Sequence, residues 1–228
     1  MHIGYLLFPG VQPLDLVGPF DVFAQFSEVS QSLIWRDMEP IAASGGLCLI
    51  PSHTFEACPA LDVLCIPGGS GVEPLMEDAE TLAFIRRQAQ SARYLTSVCT
   101  GALLLGAAGL LRGKQATTHW AYHHLLEAFG AIPVHERVVL DDRLVTGGGV
   151  TAGIDFALVL AAQAFGVERA QRAQLALEYE PAPPFSGHPD TAIEAVSRAQ
   201  REAVSPSVSR RAAVVARAAA RLASNVPG

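Results

Sequence analysis

Short apolar runs alternate with stretches of helical spacing along most of the chain, the pattern of a mostly parallel sheet covered on both faces. Residues 2–8, 63–67 and 94–98 predict strands, and a further strand is expected within 32–43, interrupted around Arg36, Asp37 and Pro40. Residues 47–55 predict a small hairpin, with Gly45 and Gly46 as turn material. Residues 134–140 and 144–146 predict two strands about the turn Asp141-Asp142-Arg143. Helices are expected over 19–26, with Gly18 and Pro19 fitting the start, and over 80–89, 99–108, 117–129, 154–165 and 167–179. Thr118 is the expected N-cap of the 117–129 helix, and Gly130 its stop.

The pattern breaks at Pro181-Ala182-Pro183-Pro184-Phe185. Beyond about Asp190 the chain is rich in alanine and arginine, with Pro206 dividing two expected helical stretches. We therefore divide the chain into one domain, residues 1–185, and a C-terminal helical extension, 186–228. Val208, Ala212, Val215, Ala219 and Leu222 recur at near-helical spacing, which favours an amphipathic helix packing on a partner subunit and hence a homodimer. Arg210, Arg211, Arg217 and Arg221 give the segment a positive bias, so a nucleic-acid arm and a solvated tail are the competing readings.

Half of the residues are apolar, enough for a sizeable core. The net charge is −6 and Lys114 is the one lysine, which argues against a nucleic-acid surface. The first ten residues lack a basic region and break at Pro9, so they read as a strand and not as a signal or membrane segment. Cys48, Cys58, Cys65 and Cys99 make no C-x-x-C pair and no zinc spacing, which points to reduced thiols and a cytoplasmic setting.

Candidate chemistry centres on Cys99. It joins the apolar run Tyr94-Leu95-Thr96-Ser97-Val98 to the helical run from Thr100. A strand turning straight into a helix puts its junction residue at the carboxyl end of the sheet, and the helix start favours a thiolate. The plainer alternative is one more buried apolar cysteine. Pro67-Gly68-Gly69-Ser70-Gly71 follows the neighbouring strand, so its N–H groups and that of Thr100 are candidates for an oxyanion site; alternatively the glycines only make a tight turn. Asp15, set among apolar residues in the expected loop after the first strand, is the candidate proton carrier, against the alternative of a helix cap. His119 is a possible base for Cys99 or a helix-start residue bonded to the backbone. His119, His123 and His124 invite a metal, but H-E-x-x-H is missing, and no metal is expected.

Several motifs resemble the PfpI-like superfamily of class I glutamine amidotransferase-like proteins. They are Pro67-Gly68-Gly69, Ser97-Val98-Cys99-Thr100-Gly101, Ala116-Thr117-Thr118-His119-Trp120 and the run Val145 to Asp155 through Gly147-Gly148-Gly149. The resemblance covers about residues 1–180 and implies an α/β fold, a flavodoxin-like three-layer sandwich with a nucleophile-elbow cysteine. Leu14-Asp15-Leu16-Val17-Gly18-Pro19 resembles the isocyanide hydratase subgroup, which uses an aspartate beside the cysteine where many relatives place a glutamate. Val134-His135-Glu136-Arg137-Val138-Val139 and Leu177-Glu178-Tyr179-Glu180-Pro181 look like the same subgroup. The resemblance implies a small isocyanide substrate, Cys99 as nucleophile, Asp15 as proton donor and water activator, Thr100 and Gly69 as orienting groups, and no cofactor. His119 matches a position near the nucleophile in some relatives, but the implied hydration does not need it. The superfamily also holds glyoxalase or deglycase enzymes and sensor domains, the alternative readings. Regulators with such domains continue into a helix-turn-helix module, for which this chain ends too early.

Overall fold

Apolar runs free of charge build the middle of the sheet, because strands buried on both faces have no polar side to offer water. The first, β1 (His2–Leu6), is buried from Ile3 onward. The chain continues through α1 (Pro13–Phe23), β2 (Ser30–Trp35), a ribbon of β3 (Ile41–Ala42) and β4 (Cys48–Leu49), and the edge strand β5 (His53–Thr54). Next come β6 (Val63–Ile66), the short α2 (Val72–Leu75), α3 (Ala79–Ser91), β7 (Tyr94–Val98) and α4 (Gly101–Ala107). β8 (Gln115–Ala116) pairs with β9 (Ile132–Pro133), then β10 (Val138–Asp141) and β11 (Leu144–Gly147) form a hairpin, and α5 (Ala152–Phe165), α6 (Val167–Ala176) and α7 (Glu194–Ser224) complete the chain. The structure, a computed structural model, describes residues 1–224; the end of the expected extension, 225–228, lies outside the described residues.

The main sheet runs β10-β11-β7-β6-β1-β2-β5, parallel throughout except for the β10–β11 pair. Its middle five strands, β2-β1-β6-β7-β11, follow the doubly wound order of flavodoxin-like folds. On one side α5 packs against α1 and α6; on the other α4 packs against α2, α3 and α7. The expected three-layer sandwich is therefore the architecture. The order reverses between β1 and β6, and ligands of such sheets bind outside the strand ends at that crevice.

Several elements differ from expectation, the 47–55 hairpin among them: β4 pairs with β3 and β5 with β2. α1 starts at Pro13 instead of 19, because Pro13 fills the first turn, where a missing N–H costs nothing; Pro19 then sits inside the helix. The second strand stops at Trp35, and the rest of the expected 32–43 strand becomes β3, paired with β4 around Ser44–Gly46. Residues 117–129 form 3-10 turns at Trp120–Leu125 and Glu127–Phe129, and the cap is His119, whose Nδ1 accepts from the Ala121 N–H at 3.3 Å; Thr118 is committed elsewhere. The last segment is one helix through Pro206, because the Glu202 carbonyl that Pro206 cannot bond lies on an exposed turn open to water.

That helix also corrects the expected partner-subunit packing of its apolar face. Val208, Ala212, Val215, Ala219 and Leu222 pack on the chain's own core. Arg217 and Arg221 pair with Glu77, Arg210 lies 3.9 Å from Glu73, and Arg211 is buried. The positive bias is turned onto the domain itself.

Candidate active site

Cys99 sits where β7 ends, with φ at +54°, a conformation that side chains bearing a Cβ rarely adopt. Neighbours hold it there on both sides. Its N–H reaches the Gly148 carbonyl at 2.8 Å and that of Gly147 at 3.1 Å, while the Thr118 hydroxyl donates to its carbonyl at 2.6 Å. Gly101 makes the turn possible, since a Cβ there would collide with the Ile66 carbonyl. The residue is buried, 7 % exposed.

Asp15 comes to Cys99 from the other side of the crevice. It lies in the first turn of α1, not in a loop, and is completely buried. Its Oδ2 accepts the Gly68 N–H at 2.8 Å, joining the segment after β1 to the segment after β6. Its Oδ1 is buried without a hydrogen bond of ordinary geometry. Burial pushes the carboxyl up to about 7, against the opposing pull of the Gly68 N–H and of hydrogen bonding with the Cys99 side chain.

The thiol is raised well above its usual value, first by burial and then by the Asp15 charge; the Thr100 N–H and hydroxyl and the Arg211 charge pull the other way. The expected preference for a thiolate at the helix start is therefore opposed by desolvation and by the neighbouring carboxylate. Cys99 and Asp15 titrate as one coupled pair.

The glycine loop does a different job from the expected anion cradle. The Gly68 N–H is spent on Asp15, that of Gly69 on the Thr100 hydroxyl at 3.1 Å, and that of Ser70 on the Gly10 carbonyl at 3.0 Å. The loop therefore positions Asp15 and Thr100. A Cβ on Gly68 would lie 2.7 Å from both the nitrogen and the hydroxyl of Thr100 and 2.9 Å from Asp15 Oδ2. Gly68→Ala is expected to cost about 10²-fold in kcat through misplacement of both side chains, with melting only a few degrees lower. Steady-state kinetics beside thermal melting checks this.

His119 does not serve Cys99 in this geometry. Its ring caps the turn that follows it, and burial, the Arg211 charge and His123 push it down to about 4, so it is neutral. His123 bonds the Thr118 carbonyl at 2.7 Å and the His135 ring at 2.7 Å. Among the described residues no group of three or more His, Cys, Asp or Glu side chains is arranged to hold a metal.

Arg211 is the site residue that sequence reasoning missed. It is 5 % exposed, donates from Nη2 to the Gly69 carbonyl at 2.7 Å and lies over the Tyr122 ring, 4.6 Å from its centre. The signal was there: Arg211 stands three residues after Val208 and four before Val215, on the apolar face of its helix. The segments at 134–139 and 177–181 also meet. Arg137 Nε donates to Asp155 Oδ2 at 2.7 Å and the Tyr179 hydroxyl to the same oxygen at 3.1 Å, while the Arg137 carbonyl accepts from Gly148, the residue bonded to Cys99.

Residues 1–163 match the DJ-1/PfpI family. The chain belongs to that family. It is 61 % identical over 223 residues to the isonitrile hydratase of Pseudomonas putida, covering 97 % of this chain and 98 % of that one. A THiJ/PfpI family protein from Pseudomonas syringae superposes with a TM-score of 0.92 at 42 % identity, covering 94 % of this chain and 90 % of the other. Similarity extends to the HTH-type transcriptional regulator GbdR of Pseudomonas aeruginosa, at 30 % over 174 residues, 73 % of this chain and 47 % of the regulator. The similarities thus reach one protein named for isonitrile hydration, nearly end to end, and one named for transcriptional regulation, over about half of its length.

Proposed function

We propose that this DJ-1/PfpI protein hydrates isocyanides to N-substituted formamides, with Cys99 as nucleophile and Asp15 as proton carrier. Isonitrile and isocyanide name one functional group, and the relative from Pseudomonas putida matches over nearly its full length. The observation that carries the reading is a completely buried carboxyl, Asp15, with one oxygen unpaired, set at the strained elbow of Cys99. An isocyanide carbon takes up a nucleophile and a proton at the same atom, so a thiol and an acid sharing one proton match its demand.

In the first half-reaction the Cys99 sulfur bonds to the isocyanide carbon. The thiol proton passes through Asp15 to that same carbon, giving a thioimidate. Water then adds to the carbon, Asp15 takes a proton from it, and the nitrogen receives one. The carbon–sulfur bond breaks, releasing the formamide and restoring the thiol. The sum consumes one water and no redox equivalent. Thr100 orients the sulfur through its N–H, and Gly69 orients Thr100.

The test is formamide production from an aryl or alkyl isocyanide, with lactate from methylglyoxal measured in parallel. Formamide alone supports the reading; lactate alone, or neither product, refutes it. No helix among the described residues is long and apolar enough to cross a membrane, and all four cysteines are free, which supports a cytoplasmic enzyme.

A homodimer belongs to the same proposal, but through a different surface from the one expected. Phe185 is 83 % exposed, and Leu175, Ile193 and Val196 are also exposed along the segment leading into α7. Light scattering on gel-filtered protein is expected to give twice the chain mass, and Phe185→Asp to shift it toward one.

A further inference from the structure

α7 reaches the site through one side chain. Arg211 is nearly fully buried, yet among the described residues it makes no ion pair, whereas Arg210, Arg217 and Arg221 of the same helix all face glutamates. Its Nε is buried with no hydrogen-bond partner. A buried cation without a counter-charge is costly, and an apolar side chain of similar volume in its place is often as stable or more so. Stability alone therefore does not explain it. Its contacts do point somewhere. Nη2 donates to the Gly69 carbonyl at 2.7 Å, and the guanidinium rests on Tyr122, whose hydroxyl bonds Ser207 of α7 at 2.9 Å. The turn it grips carries the N–H that holds Asp15 and the N–H that holds Thr100.

We propose that Arg211 is a positioning residue of the site: it fixes the Gly68–Gly69 turn that aims Asp15 and Thr100 at Cys99, and its uncompensated charge steadies the sulfur anion formed when Cys99 gives up its proton. The inference rests on the reading of Cys99 as the reacting sulfur. The groups acting on that sulfur are Asp15 from α1, Thr100 beside it and Arg211 from α7, and Arg211 pulls the thiol down against the upward push of burial and Asp15. His119, also next to Arg211, stays neutral around pH 7 and above. α7 is on this view a working part of the site and not an appendage.

The experiment compares wild type with Arg211→Met and Arg211→Lys. Iodoacetamide alkylation is followed across pH by peptide mass spectrometry, which separates Cys99 from the exposed Cys48 and half-buried Cys58. In Arg211→Met alkylation of Cys99 at any one pH is expected to be about tenfold slower, because a smaller fraction of the sulfur is ionised. Its melting temperature should equal or exceed that of wild type while kcat falls. Arg211→Lys should keep the alkylation rate near wild type and lose kcat with little change in KM, because the charge remains and the fork that grips Gly69 does not. An unchanged alkylation profile and kcat in Arg211→Met, or a drop in melting temperature with an unchanged profile, overturns the proposal. If the wild type fails to hydrate isocyanides while the profile still shifts, the proposed function falls and the role of Arg211 stands.

Discussion

Cys99→Ala is expected to abolish formamide production, with kcat falling on the order of 10⁴-fold or more, as removal of a covalent nucleophile does elsewhere. The loss should leave the fold intact. Alanine and cysteine both carry a Cβ, so the strain of the left-handed backbone at position 99 is the same in each, and the hydrogen bonds to Gly147, Gly148 and Thr118 use only the backbone of residue 99. Melting within a few degrees of wild type, together with absent turnover, separates chemistry from structure. Cys99→Ser should be nearly as inactive. A buried hydroxyl beside a carboxylate is harder still to deprotonate than the thiol it replaces, and Asp15 poised near neutrality is too weak a base to compensate.

Asp15→Asn is expected to lower kcat on the order of 10²- to 10⁴-fold and, at the same time, to stabilise the protein above neutral pH. The amide still accepts the Gly68 N–H but carries no proton between thiol and carbon. The folded carboxyl is raised from 3.8 to about 7, so the native state binds its proton more tightly than the unfolded chain. The stability this contributes is complete below about pH 4 and is lost as pH rises through about 7. Asparagine does not ionise, so the variant should match wild type near pH 4 and exceed it by about 2–4 kcal/mol above neutrality. Denaturant melts across pH measure this. A variant less stable than wild type at every pH would assign Asp15 to packing instead. The expected gain in stability with loss of activity is the usual sign of a group kept for its chemistry.

Much of this architecture was legible before the structure was known, for definite reasons. Residues 63–67 and 94–98 read as strands because buried parallel strands need no polar face, and their ends were marked by Gly68 and by Cys99-Thr100-Gly101. In a parallel sheet the loops after both strands open at the same end, which put the glycine turn near Cys99; the strand order that makes the crevice came with the structure. The errors arose where two local signals competed. Gly18 and Pro19 looked like a helix start, although Pro13 with an acidic Asp15 two residues later was the better one. Thr118 looked like a cap, but its hydroxyl is taken by the Cys99 carbonyl, a partner distant in sequence.

The electrostatics of the site were less legible still. A helix start beside a cysteine suggests a thiolate; the depth of burial and the closeness of Asp15, which oppose that preference, exist only after folding. Arg211 was hidden for the same reason. A cation on an apolar face reads as a flaw in the pattern until the Gly69 carbonyl and the Tyr122 ring are seen around it.

The chemistry proposed for this site turns on a direct bond between the Cys99 sulfur and the isocyanide carbon. The mass of the Cys99 peptide is measured from wild-type and Asp15→Asn protein, each mixed with excess isocyanide and acid-quenched within a turnover, before hydrolysis clears the adduct. Addition expels no leaving group, so the account predicts a gain equal to the whole mass of the substrate, on Cys99 and on none of Cys48, Cys58 or Cys65. Formamide released by Cys99→Ala at the wild-type rate, or turnover by the intact enzyme with no adduct at Cys99 in either protein, would contradict it.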